Sequence, residues 1–106
     1  MIKAEFWSDG GQLIGFRVDG HAGYDDYGFD IVCASVSSAV ELVCNTITES
    51  FNHKAEVVVD DNLISLKLLD CPKDSPCIKV LEGLRLHFEG LSERFPKNVK
   101  VYTTEV

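Results

Sequence analysis

The apolar residues at the start of this 106-residue chain alternate with polar ones. They form two runs on either side of a glycine-containing turn at 9–12, namely Ile2, Ala4 and Phe6, then Ile14, Phe16 and Val18. A period of two places alternate side chains on one face of a strand, and a glycine turn between two strands is typical of a hairpin. The opening segment therefore predicts two paired strands, the second of which ends at 19–20.

From Asp30 to about Ser50 the apolar residues follow a helical period instead. They recur three or four positions apart, as Val32, Val36, Ala39, Val40, Val43 and Ile47. This spacing predicts an amphipathic helix that buries one face. Asp30 is suited to be its N-cap, because a carboxylate accepts hydrogen bonds from the N–H groups of a first helical turn. The same assignment puts Cys33 in that first turn.

Two strands and a second helix are predicted further along the chain. The strands cover 56–60 and 63–69, around a polar turn. Ser75 followed by Pro76 is typical of a helix start, since serine caps the first turn and proline fits its first position. The apolar stripe of this helix comprises Cys77, Val80, Leu81, Leu84, Phe88, Leu91 and Phe95. Pro96 follows the stripe and is expected to stop the helix.

Val99 and Val101 indicate a short closing strand, which completes the order ββαββαβ. We predict an α+β fold in which two helices pack on one face of a mainly antiparallel five-stranded sheet. A chain of this length supports one modest core and not two, so residues 1–106 are expected to form a single domain.

The charge of the chain limits its partners. Seventeen acidic residues against ten basic ones give a net charge of -7. Such a charge repels phosphate backbones and attracts basic polypeptides, so we expect no direct nucleic-acid partner. No stretch approaches the apolar length that spans a bilayer, and the first residues lack the hydrophobic run of a signal peptide. A cytoplasmic protein with no membrane partner is therefore expected.

The four cysteines, Cys33, Cys44, Cys71 and Cys77, are expected to be free thiols in a cytoplasmic chain. The chain has no Cys-x-x-Cys pair, and its histidines lack the spacing of a zinc site, so we predict neither a metal nor a cofactor. Cys44 is most simply a small buried hydrophobic residue.

Cys33 and His21 are the candidates for chemistry. They are twelve positions apart, with a glycine-rich loop between them. The positive end of the helix dipole favours the thiolate of a cysteine in a first turn, and a loop could bring the histidine within hydrogen-bond reach. A nucleophile beside a proton carrier performs acyl transfer. The alternatives from the residues alone are a cysteine that packs in the core and a histidine on a surface turn.

The motif around these two residues is specific. It reads Gly20-His21-Ala22 and then Gly28-x-Asp30-Ile31-Val32-Cys33-Ala34-x-Val36-Ser37. This pattern closely resembles the ribosomal-processing cysteine proteases called Prp, and the resemblance extends along nearly the whole chain. It implies a homodimeric enzyme that removes the N-terminal extension of a large-subunit ribosomal protein, L twenty-seven. It also implies that Cys33 is the nucleophile and His21 its proton partner.

Other residues of this segment have open roles. Asp30 could orient His21, cap the helix or bind a basic side chain of the substrate, and Ser37 could donate to the thiolate or bond back to its own helix. Asp25 and Asp26 lie in the loop, where they could meet lysines of the substrate or simply be solvated. Backbone N–H groups at the helix start are expected to stabilise the oxyanion.

Two alternative functions remain at this point. A non-catalytic module could hold a basic ribosomal-protein peptide in the same groove, without any need for the thiol. A redox sensor could use Cys33 as an oxidisable thiol, although no resolving cysteine is near it in the sequence.

Overall fold

The computed structural model describes residues 1–20 and 30–106. Within them lie two helices and a five-stranded sheet, as the predicted α+β fold requires. The elements are β1 (Ile2–Asp9), β2 (Gln12–Asp19), α1 (Ile31–Asn45), a π-helical segment (Thr46–Ser50), β3 (Ala55–Asp60), β4 (Leu63–Leu68), α2 (Pro76–Arg94) and β5 (Val99–Glu105). The π-helical segment departs from the predicted order ββαββαβ.

The sheet is mixed: most of its strand pairs are antiparallel, as predicted, but one pair is parallel, which the sequence did not predict. Its strand order is β3-β4-β2-β1-β5. Three neighbouring pairs are antiparallel, but β1 and β5 run parallel, with Ile2 opposite Val99 and Ser8 opposite Glu105. The parallel pair arises because α2 returns the chain to the end of the sheet at which β4 began, and a helical crossover of this kind joins parallel strands.

The core lies between the sheet and the two helices. Phe6 is at its centre, with ring centroids 6.1 Å from those of Phe16 and Phe88. One predicted core position in β2 is wrong, since Leu13 is buried and Ile14 is only half-buried. A β-bulge is the reason. Trp7 of β1 pairs with Gly15, but the next residue, Ser8, pairs with Leu13, so the alternation of buried side chains in β2 shifts by one residue at Ile14.

The first helix begins as predicted and ends earlier. Asp30 caps it, but regular α-helix stops at Asn45 and continues as a π-helical turn to Ser50. In this region the hydroxyls of Thr46 and Thr48 donate to the carbonyls four residues before them, at 2.6 and 2.9 Å. Such back-bonding bends helices, and π turns are wider than α turns.

The segment Ile31–Ser50 is long and apolar enough to cross a membrane, by length and composition only. The expectation that no stretch approaches this length is therefore wrong. One face of the segment is buried in the core of the domain, through Val32, Val36, Val40, Val43, Cys44 and Ile47. A buried helix of a globular domain passes the same test of length and hydropathy.

The second helix follows its predicted signals. The hydroxyl of Ser75 accepts a hydrogen bond from the N–H of Cys77 at 3.2 Å, and Pro76 is the first helical residue. Helix α2 packs against β2, β5 and α1, so both helices cover the same face of the sheet. This leaves the helix face of the edge strand β3 uncovered, where Val57 and Val59 are exposed.

Candidate active site

Cys33 is the third residue of α1 and is half-buried. The extended backbone of Asp30 turns into the helix there, and Asp30 Oδ1 accepts hydrogen bonds from the N–H groups of Val32 at 2.9 Å and Cys33 at 3.0 Å. The Asp30 side chain therefore fixes the backbone of the first turn, which carries the thiol.

The cap engages three of the backbone N–H groups at the helix start that were expected to stabilise the oxyanion. The N–H groups of Val32 and Cys33 are engaged by Asp30, and the N–H of Ala34 donates to the Asp30 carbonyl at 3.1 Å. They are therefore not available to a substrate oxygen while the cap is formed. Of the roles predicted for Asp30, helix capping is seen directly, whereas orientation of His21 involves a residue outside the described part of the chain.

Gly20 is the last described residue before His21, and the fold holds it tightly. Its N–H donates to the carbonyl of Asn62 at 3.0 Å, which ties the end of β2 to the β3–β4 turn. Its φ of 93° is in the left-handed region, and a Cβ at this position would lie 2.3 Å from the carbonyl oxygen of Met1. Only glycine fits such a position without strain. His21, Asp25 and Asp26 lie outside the described residues.

A groove of about 600 Å³ joins these two parts of the fold. One wall is α1, which presents Cys33, Ser37 and Glu41, spaced four residues apart and so on one helical face. Gly20 lines the same groove at the end of β2. The fold thus brings the residue before His21 and the thiol of Cys33 to one cleft, together with Ser37.

The floor of the groove includes a row of directly paired residues that crosses three strands: Val18, Ile64 and Val59. Val18 is 6% exposed, whereas Val59 at the edge is 73% exposed. Exposure rises along the row because neither helix extends over β3. The groove therefore has an apolar floor that opens toward the sheet edge.

The groove is also acidic. Asp19, Asp30, Glu41 and Asp60 line it, and none of its described lining residues is basic. Asp19 pairs with Arg17 at 3.5 Å, whereas no ion pair joins Glu41 to another described residue. Glu41 and Val59 also line the groove, and neither was predicted from the sequence as a site residue. The four-residue spacing from Cys33 could have indicated Glu41, but nothing in the sequence places β3 opposite α1.

The four cysteines are free, as predicted. Cys44 and Cys77 are buried, and burial raises the pKa of the Cys44 thiol. Cys71 is half-buried, and its Sγ lies 3.5 Å from the carbonyl of Pro72. Of the four, Cys33 alone lines the groove. Within residues 1–20 and 30–106, no group of His, Cys, Asp or Glu side chains is placed to hold a metal ion.

Several known structures share this fold. The essential ribosomal processing protease Prp of Staphylococcus aureus, in complex with a covalently linked product peptide, superposes with a TM-score of 0.89 at 23% identity, over 98% of this chain and 100% of that one. A Streptococcus mutans protein, SMU.848, gives a TM-score of 0.86 at 28% identity, over 100% of this chain and 96% of that one.

Sequence comparison identifies the family. The ribosomal processing cysteine protease Prp of Staphylococcus aureus (strain Mu50 / ATCC 700699) is 25% identical over 96 residues, which are 89% of this chain and 90% of that protein. A family model for cysteine protease Prp matches residues 1–100. Because this match covers nearly the whole sequence, the chain belongs to the cysteine protease Prp family.

Proposed function

We propose that residues 1–106 form one cysteine endopeptidase domain that removes the N-terminal extension of ribosomal protein L twenty-seven during ribosome assembly. Family membership supports the reaction class, and the name of the Staphylococcus aureus relative supports ribosomal processing. The observation that carries the proposal is the position of Cys33, in the first turn of α1 and in the groove that Gly20 also lines.

The proposed reaction uses Cys33 and His21 as a catalytic dyad. His21 takes the thiol proton, and the Cys33 sulfur attacks the scissile carbonyl carbon to form a tetrahedral oxyanion. The C–N bond then breaks, and His21 as imidazolium gives its proton to the leaving amine. Water attacks the resulting thioester as His21 accepts its proton. The C–S bond breaks, the carboxylic acid leaves and the thiol is restored.

Asp30 and Ser37 are proposed as supporting residues. Asp30 fixes the backbone of Cys33 through its cap, so the sulfur approaches the groove from a defined direction. Ser37 is one helical turn after Cys33 on the same groove wall, where its hydroxyl can donate a hydrogen bond toward the thiolate or the substrate backbone.

The charge of the chain supports a basic ribosomal protein as substrate. A net charge of -7 attracts basic tails and repels RNA, so cleavage of the free protein in the cytoplasm is favoured over cleavage on an RNA-coated particle. Asp25 and Asp26 are proposed to contact the substrate's lysines. We also propose a homodimer with two separate sites, to be checked by sedimentation at micromolar concentration. A monomer there would contradict it.

The direct test is incubation of the purified protein with extended L twenty-seven, followed by mass spectrometry of the products. We expect Cys33→Ala to abolish cleavage and His21→Ala to be nearly as damaging, with the fold retained. Cys71→Ala is the matched control, since that thiol is also half-buried but lies outside the groove. Cleavage that persists in Cys33→Ala would favour the non-catalytic module, and selective oxidation of Cys33 without cleavage would favour the redox sensor.

A further inference from the structure

The wall and floor of the groove beyond Cys33 form a surface of defined length. From Cys33 to Glu41, α1 rises about 12 Å at roughly 1.5 Å per residue. An extended peptide advances about 3.3 Å per residue, so three to four residues fit alongside this wall. The thiol lies at one end of this stretch and the carboxylate-bearing Glu41 at the other.

The chemistry changes along that stretch. Ile64 and Val59 form an apolar floor that the helices leave open. Val59 is 73% exposed on the helix face of the sheet and is not covered by the described residues. Glu41 is exposed at the far end and no ion pair joins it to another described residue. An apolar side chain followed by a basic one would complement these two surfaces.

We infer that the space between α1 and β3 is a specificity subsite for three to four substrate residues on one side of the scissile bond. Val59 and Ile64 receive an apolar side chain there, and Glu41 pairs with a lysine or arginine three or four positions from the cleaved bond. This inference rests on the proposed function, because that function defines the occupant as an extended basic polypeptide. Burial of Val59 supplies affinity, and the Glu41 charge supplies selectivity.

Two pairs of matched variants test the subsite. Glu41→Gln is compared with Glu49→Gln, which removes an exposed acid of the π-helical segment outside the groove. Val59→Ser is compared with Val58→Ser, which lies on the opposite face of β3, paired with Ser65. The substrates are peptides spanning the L twenty-seven cleavage site, in which a single lysine is moved along the chain and replaced by norleucine in the control series.

We expect Glu41→Gln to lower kcat/KM at low salt by roughly tenfold for peptides with lysine at the third or fourth position, and to leave norleucine peptides unchanged. Val59→Ser should raise KM several-fold for all of these peptides. Both controls should behave as the unmodified protein. Equal effects of Glu41→Gln and Glu49→Gln, or of Val59→Ser and Val58→Ser, would overturn the subsite.

A binding measurement separates this inference from the proposed function. Fluorescence anisotropy of labelled peptides with the Cys33→Ala protein, alone and combined with each of the four variants, reports affinity without cleavage. If only Glu41→Gln and Val59→Ser weaken binding, the subsite is supported. This conclusion does not depend on the dyad, which would be refuted separately if the Cys33→Ala protein still cleaved the peptide. Unchanged binding in all variants would overturn the subsite while leaving cleavage by Cys33 intact.

Discussion

The carboxylate of Asp30 accepts a hydrogen bond from the backbone N–H of Cys33 at 3.0 Å, so the helix cap and the proposed nucleophile are joined directly. The same Oδ1 atom also holds the N–H of Val32. The first turn of α1 is therefore fixed by a side chain that precedes the helix. The Asp30 carboxylate therefore contributes both to the stability of α1 and to the placement of the Cys33 thiol.

Asp30→Ala should lower both stability and catalysis. Loss of an N-cap costs about 1 kcal/mol of unfolding free energy, and Asp30→Asn should lose less because its amide oxygen still accepts hydrogen bonds. Urea unfolding measures this effect, and kcat per folded molecule measures the placement of Cys33. Ser75→Ala removes the cap of α2 and is the control, since it should destabilise similarly without lowering kcat. An equal kcat for Asp30→Ala and Ser75→Ala would show that Asp30 is a structural cap only.

Gly20→Ala should destabilise the protein by roughly 1–3 kcal/mol, because a Cβ there strains the positive φ and meets the Met1 carbonyl oxygen. It should also lower kcat/KM, since Gly20 fixes where the chain enters the segment that carries His21. Gly10→Ala has a positive φ but no neighbour within 4 Å, and it serves as the control for backbone strain alone. A thermal unfolding temperature equal to that of Gly10→Ala would contradict the close approach to Met1.

Cys44 should make the protein less stable at alkaline pH. Burial raises the pKa of its thiol in the folded state, so the unfolded chain ionises first as pH increases. The contribution of this thiol is complete below about pH 8.5, the ordinary pKa, and is lost as pH rises toward the folded value. Cys44→Ala should therefore lower the free energy of unfolding at neutral pH, but that free energy should then fall less steeply as pH rises. Urea unfolding at several pH values measures both effects. Val43→Ala, at a buried neighbour that does not titrate, should leave the decline unchanged.

Replacing Asp25 and Asp26 together by asparagine should raise KM for a basic peptide and weaken its dependence on salt, with little change in kcat. The charge interaction is made equally in the ground and transition states, so its loss affects binding alone. The double variant Glu49→Gln, Glu93→Gln changes net charge by the same amount on exposed helix positions outside the groove. Equal KM values for the two double variants at low salt would show that Asp25 and Asp26 act only through net charge.

Local sequence signals determined the helices and their starts. Asp30 and Ser75 cap α1 and α2 because a short polar side chain can reach the N–H groups of the next turn, whatever the rest of the chain does. The position of Cys33 in a first turn follows from the same local geometry. The alternation in β1 likewise predicts its buried face, because successive side chains of a strand point to opposite sides.

Relationships between distant segments were decided by the tertiary structure alone. Strand β5 pairs with β1 in parallel because α2 carries the chain across the sheet, and the bulge opposite Trp7 replaces Ile14 by Leu13 in the core. The groove has the same origin, since Val59 faces α1 only through the strand order and the limited reach of the helices. Strand register and helix placement minimise exposed apolar area over the whole domain, and no local pattern contains that information.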